Sequence, residues 1–187
     1  MVLPVTTLDE LFGAALMVPD AIDAERAAAV RARHESSYTR YALVDRGNYE
    51  YVDDPNEPEL IELMQRAAER ATGRTLAPRS ARILRLLPGS YVLAHHDGIR
   101  EDNPVEVTLD LSRAPVPDAE LHYRRRGQVY FRFPCLPGGL AIVERGVTIT
   151  CNHCYVSKLH VAASVVRLVV TLRDSDSAMH TTRNTSR

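Results

Sequence analysis

The stretch Arg82-Ile83-Leu84-Arg85-Leu86-Leu87-Pro88-Gly89-Ser90-Tyr91-Val92-Leu93-Ala94-His95-His96-Asp97 marks where the chain changes texture. Two apolar segments of strand length flank a Pro-Gly turn, and the second ends on three polar, metal-competent residues. Short β segments follow at close spacing: Val105–Leu111, Glu120–Tyr123, Val129–Phe133, Leu140–Glu144, Val147–His153 and Val165–Leu172. Pro115 to Pro117, Gly127 and Pro137-Gly138-Gly139 punctuate them. With Arg82–Leu87 and Tyr91–Asp97, that makes roughly eight strands with no helix-length crossover between them, which favours a sandwich or barrel over βαβ units. A double-sheet jelly roll uses eight strands.

Working outward, residues 1–80 read as mostly helical. Thr7 and Glu10 have capping-box spacing, and Leu8, Leu11, Phe12 and Ala15 share a helical face that Pro19 would end. Asp20 can cap a second helix running to about His34. The third is the clearest, with Leu60, Leu63, Met64, Ala67, Ala68 and Ala71 on one stripe, Pro58 in the first turn and Gly73 placed to stop it. Between them Tyr38 to Asp54 reads as a short strand pair turning at Arg46-Gly47-Asn48. The expectation is a mainly β chain with N-terminal helices: residues 1–80 a helical section packing on the barrel, 81–173 the jelly-roll core, and 174–187 a tail with nothing apolar enough to bury.

Composition narrows the classes. With 187 residues the chain can bury a sizeable core without disulfides or metal. Its 23 basic and 24 acidic side chains give a net charge of −1, which argues against a general nucleic-acid binder. No apolar run is long enough to cross a bilayer, and Asp9 and Glu10 near the start do not read as a secretory leader. Three cysteines do not make a disulfide framework. These features point to a cytoplasmic protein with no nucleic-acid or membrane contact.

His95-His96-Asp97 carries the chemistry. On a strand His95 and Asp97 would share a face with Tyr91 and Leu93, and a His and a carboxylate two apart can hold one metal ion together. A third ligand must come from another strand. His153 is the first candidate and His160 the second. Two His and one carboxylate form the facial triad of non-haem Fe(II) oxygenases. Arg167 then stands inside Val165-Val166-Arg167-Leu168-Val169-Val170, where a guanidinium is costly to bury unless paired. Either a bound carboxylate satisfies it, or it faces solvent, or it pairs with an internal acid such as Glu144.

Taken together, His95-His96-Asp97, His153, Arg167 and the lead-in Arg85-Leu86-Leu87-Pro88-Gly89-Ser90-Tyr91 resemble the Fe(II)/2-oxoglutarate-dependent dioxygenase superfamily. The resemblance covers about Arg82 to Arg173 and includes the Pro137-Gly138-Gly139-Leu140 turn before the distal His strand. It implies a double-stranded β-helix, cupin-like in architecture, with iron on His95, Asp97 and His153 and 2-oxoglutarate anchored on Arg167. It also implies use of O2, decarboxylation of the oxo acid to succinate, and hydroxylation of an unactivated C–H in a small molecule such as an amino acid or amino-acid-derived metabolite. Halogenating members of the superfamily have a small residue in place of the carboxylate ligand, and Asp97 is present, which points to hydroxylation.

Other residues admit two readings. Arg85 and Tyr91 are candidate substrate contacts, with structural pairing an equal alternative for Arg85. Cys151 and Cys154, joined by Cys135 and His122, would make a structural zinc site in a non-catalytic β-sandwich binding module. Small buried apolar residues are the simpler reading of all three cysteines. Arg124-Arg125-Arg126-Gly127 reads as a solvated hairpin tip or as a basic loop recruiting an acidic substrate.

Overall fold

A computed structural model describes residues 14–95, 104–146 and 148–175. The sheet is built from eight strands: β4 (Leu76–Leu86), β5 (Tyr91–His95), β6 (Val105–Asp110), β7 (Leu121–Arg125), β8 (Gln128–Phe133), β9 (Leu140–Glu144), β10 (Ile149–His153) and β11 (Val165–Asp174). Strands β4, β11, β6 and β9 lie side by side in one wall, and β5, β10, β7 and β8 in the other, all antiparallel. From β4 onward the chain alternates between the two walls except at the β7–β8 hairpin, which is jelly-roll topology and the expected fold class.

Three further strands, β1 (Ala15–Val18), β2 (Thr39–Leu43) and β3 (Gly47–Asp53), extend it. β3 bridges the walls by pairing with both β4 and β5, and β1 adds an edge to β9. Section 1–80 therefore contributes strands as well as helices, and residue 80 falls inside β4. Ala15–Val18 is a strand where a helix was expected, because its backbone is claimed residue for residue by Leu140–Val143. The rest of that expected helix lies outside the described residues, as does the tail beyond Ser175. Asp174 itself closes β11 and bonds Arg74 at 2.9 Å.

Helices α1 (Ala24–His34) and α2 (Pro58–Thr72) cover the outer face of the first wall. Their Ala27, Val30, Leu60, Met64 and Ala68 share one core with Ile83, Leu109, Ile142 and Leu168. In α2 the buried residues are four apart, Pro58 occupies the first turn, and Gly73 takes the left-handed conformation (φ 69°) that ends the helix. α1 starts later than expected. Asp23 rather than Asp20 caps it, accepting the Arg26 N–H at 2.7 Å. Gly138 (φ 78°) fixes the approach to β9, since a Cβ there would meet the Ile22 carbonyl oxygen at 2.5 Å.

The two helices are joined by one buried carboxylate. Glu57 receives Arg33 at 2.9 and 2.6 Å and lies 2.9 Å from His34 Nε2. Burial pushes its pKa up, but hydrogen bonds from Arg33 and His34 outweigh this and hold it below the ordinary 4.5. A depressed carboxylate pKa contributes stability above the unfolded value and loses it as pH falls through the folded one. Glu57→Gln is therefore expected to cost about 1–3 kcal/mol near neutral pH. That deficit should shrink once the pH drops below 4.5. Thermal melts of both proteins across pH 3–7 check this, and a pH-independent difference would contradict it.

Candidate functional site

Arg167 sits on β11 between Leu84 of β4 and Asp110 of β6, facing the interior with only 1% of its surface exposed. Its Nη2 donates to the Ala119 carbonyl at 2.7 Å, and its Nη1 lies 2.9 Å from His153 Nδ1. The Phe133 ring centre is 5.9 Å from the guanidinium. Nε is buried with no hydrogen-bond partner, and among the described residues no carboxylate pairs with this side chain. Glu144 does not do so. It bonds Arg74 at 3.1 Å and the Ala14 N–H at 2.8 Å instead. Asp110 is spoken for as well, accepting the N–H groups of Ser112 and Leu136.

His153 is 5% exposed and closes β10, which pairs directly with β5. A guanidinium has only donors, so Nδ1 accepts here and a neutral ring carries its proton on Nε2. A metal at His153 would either take Nδ1 from Arg167 or bind Nε2 after the proton moved to Nδ1. Either way the Arg167–His153 hydrogen bond would break, leaving Arg167 in need of an anionic partner.

The sequence expectation of Tyr91, Leu93 and His95 on one face is corrected by a register shift. Val92 pairs with His153 but His95 pairs with Cys151, so β5 carries an extra residue between them. Leu93 and Ala94 are both exposed, as a bulge requires. Tyr91 is out of phase with His95, and its hydroxyl donates to the Val44 carbonyl at 3.3 Å. His96 and Asp97 lie outside the described residues, and of His95 only the backbone is described.

Arg85 pairs with Val166, so it projects to the outer face, opposite to Arg167. There it bonds Glu50 at 2.6 Å and Glu35 at 2.7 Å, with its guanidinium 3.8 Å from the Tyr38 ring centre. Structural pairing is the role this geometry gives it. His160 also lies away from Arg167, lining an outer cavity. The cysteines do not converge. Cys135 and Cys151 belong to separate apolar clusters, and Cys154 lies 3.5 Å from His122 Nδ1, whose Nε2 meets Glu120 at 2.5 Å. Burial pushes the Cys135 and Cys154 thiols up, which opposes the thiolate that zinc needs. Among the described residues no group of three or more His, Cys, Asp or Glu is arranged to hold a metal.

Sequence reasoning missed an ionic network at the other end of the interior. Glu106 accepts the Tyr123 hydroxyl at 2.7 Å and the Arg145 guanidinium at 2.5 Å, all three buried. Burial first, then Glu106, keeps the Tyr123 phenol well above its ordinary pKa, so it remains a donor. The visible signal was Glu106 and Thr108 alternating with apolar residues in Val105–Asp110, on the face that also carries Asp110.

No family model matches the sequence, and no curated protein matches it. Solved structures do. A prolyl-4-hydroxylase of Pseudomonas putida superposes with a TM-score of 0.69 at 15% identity, covering 88% of this chain and 94% of that one. An oxidoreductase of the 2OG-Fe(II) oxygenase family from Burkholderia pseudomallei gives 0.66 at 16% identity over 88% and 86%. The non-heme alpha-ketoglutarate-dependent carbocyclase of nogalamycin biosynthesis gives 0.66 at 16% identity over 87% and 80%. At these identities the likeness establishes a shared jelly-roll fold. Among the described residues no helix is long and apolar enough to cross a membrane.

Proposed function

We propose that the chain is an Fe(II)/2-oxoglutarate-dependent oxygenase. His95, Asp97 and His153 would hold the iron, and Arg167 the distal carboxylate of the oxo acid. The observation that carries this reading is Arg167: a buried cation with an orphaned Nε and no carboxylate partner among the described residues, on a jelly roll and beside a histidine. That site fits a planar carboxylate, which would take two parallel N–H bonds and neutralise the charge. The donor set fits ferrous iron, two imidazoles and one carboxylate being the facial triad.

Bound iron and oxo acid would supply the oxidising power. Substrate C–H, 2-oxoglutarate and O2 would give the alcohol, succinate and CO2. The chain's own residues orient and exclude. Ala119 fixes one edge of Arg167, Phe133 covers its face, and Leu84, Leu86, Val92 and Val165 wall the interior with apolar surface. An amino acid or amino-acid-derived metabolite is the substrate class we favour. The neighbours include a prolyl-4-hydroxylase.

Anaerobic titration of the protein with Fe(II) and 2-oxoglutarate, followed by visible absorption, tests the assignment. The weak band of the chelated oxo acid is expected in wild type and lost in Asp97→Ala and His153→Ala, with circular dichroism unchanged. No band in wild type, together with tightly held zinc, would overturn it.

A further inference from the structure

A cavity of about 600 Å³ lies outside the barrel, at the end where β4 finishes and β11 begins. Its floor includes Val166 and Arg85, paired on the outer face, so the sheet separates it from Arg167. α1 and its C-cap residue form one wall through Ala28, Arg31, Ala32 and Glu35, spaced so that they share one helical stripe. Tyr38, Leu87 and segments 113–117 and 160–164 form the rest, the segments largely Ala, Pro and Val. The volume lies in the range of small-molecule sites.

The charges in this cavity do not balance. Arg85 is neutralised by Glu50 and by Glu35, the only acid among the described residues lining the cavity. Arg31 and Arg113 are not: neither has an ion pair among the described residues, and Arg31 donates only to the Leu111 carbonyl. Arg31 and Arg113 line the same cavity, and burial first, then the positive charge of Arg113, outweigh Tyr38 and Asp110 and hold Arg31 below its ordinary pKa. Two guanidiniums lining one half-apolar cavity, neither of them in an ion pair among the described residues, have the chemistry of an anion receptor.

The geometry points to a second ligand site here, taking a small organic anion (a carboxylate or a phosphate ester) whose apolar body rests on the Ala and Pro walls while Arg31 and Arg113 grip its charged end. The site is independent of the barrel interior, so it stands or falls apart from the oxygenase reading.

Calorimetry of the full chain with phenyl phosphate and, separately, phenylacetate tests it and distinguishes the two anions. Saturable binding of at least one probe is expected, weakened about tenfold or more in Arg113→Gln and in Arg31→Gln. It should be unaltered in Arg167→Met. Arg113 is exposed, so its variant should fold even if loss of the Leu111 contact disturbs Arg31→Gln. No saturable binding of either probe up to about 10 mM, binding unchanged in Arg113→Gln, or binding lost in Arg167→Met would each overturn the proposal.

Discussion

Arg167→Met is expected to weaken 2-oxoglutarate binding by about two to three orders of magnitude while leaving the protein folded. Removing one partner of a desolvated charge pair costs about 2–5 kcal/mol of binding, and Met keeps much of the volume. The protein without ligand behaves differently. There the guanidinium is already a buried cation with one orphaned nitrogen, so its loss removes a desolvation cost. Against this stand the Ala119 carbonyl and His153 Nδ1, each left without its donor at about 1–3 kcal/mol. The melting temperature should move by only a few degrees, at about 2–4 °C per kcal/mol.

Fe(II) affinity gives the sharper contrast. Metal binding at His153 must break the Arg167 hydrogen bond, so the Met variant should bind Fe(II) at least as well as wild type. A merely misfolded variant would lose both ligands together. Equilibrium titrations of Fe(II), then of 2-oxoglutarate under nitrogen, separate these outcomes. Unchanged 2-oxoglutarate affinity would reduce Arg167 to a structural partner of His153.

Why Arg167 was legible, and its surroundings were not, follows from range. A charge between Val166 and Leu168 is a local anomaly, as are the stripe of α2 and the apolar run Leu140–Glu144, which forms β9 from end to end. Ala15–Val18 carries no such anomaly. Four mostly apolar residues suit a helix face or an edge strand equally, and only β9 decides. The extra residue in β5 is likewise invisible until one sees that the strand pairs with β3 and then with β10. β4 begins at Leu76 because Pro78 sits beside a register shift opposite Leu172, the kind of place where a strand tolerates proline. The Glu144 alternative was reasonable by residue type and failed on position, since β9 ends beside Arg74.

The Glu106 network was missed for the same reason, and it carries the largest expected effect on stability. Burial works against the Arg145 charge and Glu106 more than restores it, so the pair is coupled tightly at 2% and 5% exposure. Glu106→Leu removes the acceptor of both Arg145 and Tyr123. Breaking a buried pair from one side costs about 3–5 kcal/mol, or a melting temperature about 10 °C lower. Replacing both partners is different in kind, because an apolar pair of similar volume is often neutral. Glu106→Leu with Arg145→Met should therefore be more stable than Glu106→Leu alone. Adding Tyr123→Phe should recover the remaining cost of an orphaned hydroxyl, about 1–3 kcal/mol. Melting curves of the single, double and triple variants give the coupling energies directly. If Glu106→Leu melted within about 2 °C of wild type, or the double variant were no more stable than the single, the network would be ornamental. If the expected order holds, most of the cost of Glu106→Leu is that of taking a shared acceptor from two buried donors, and not the net worth of the ion pair itself.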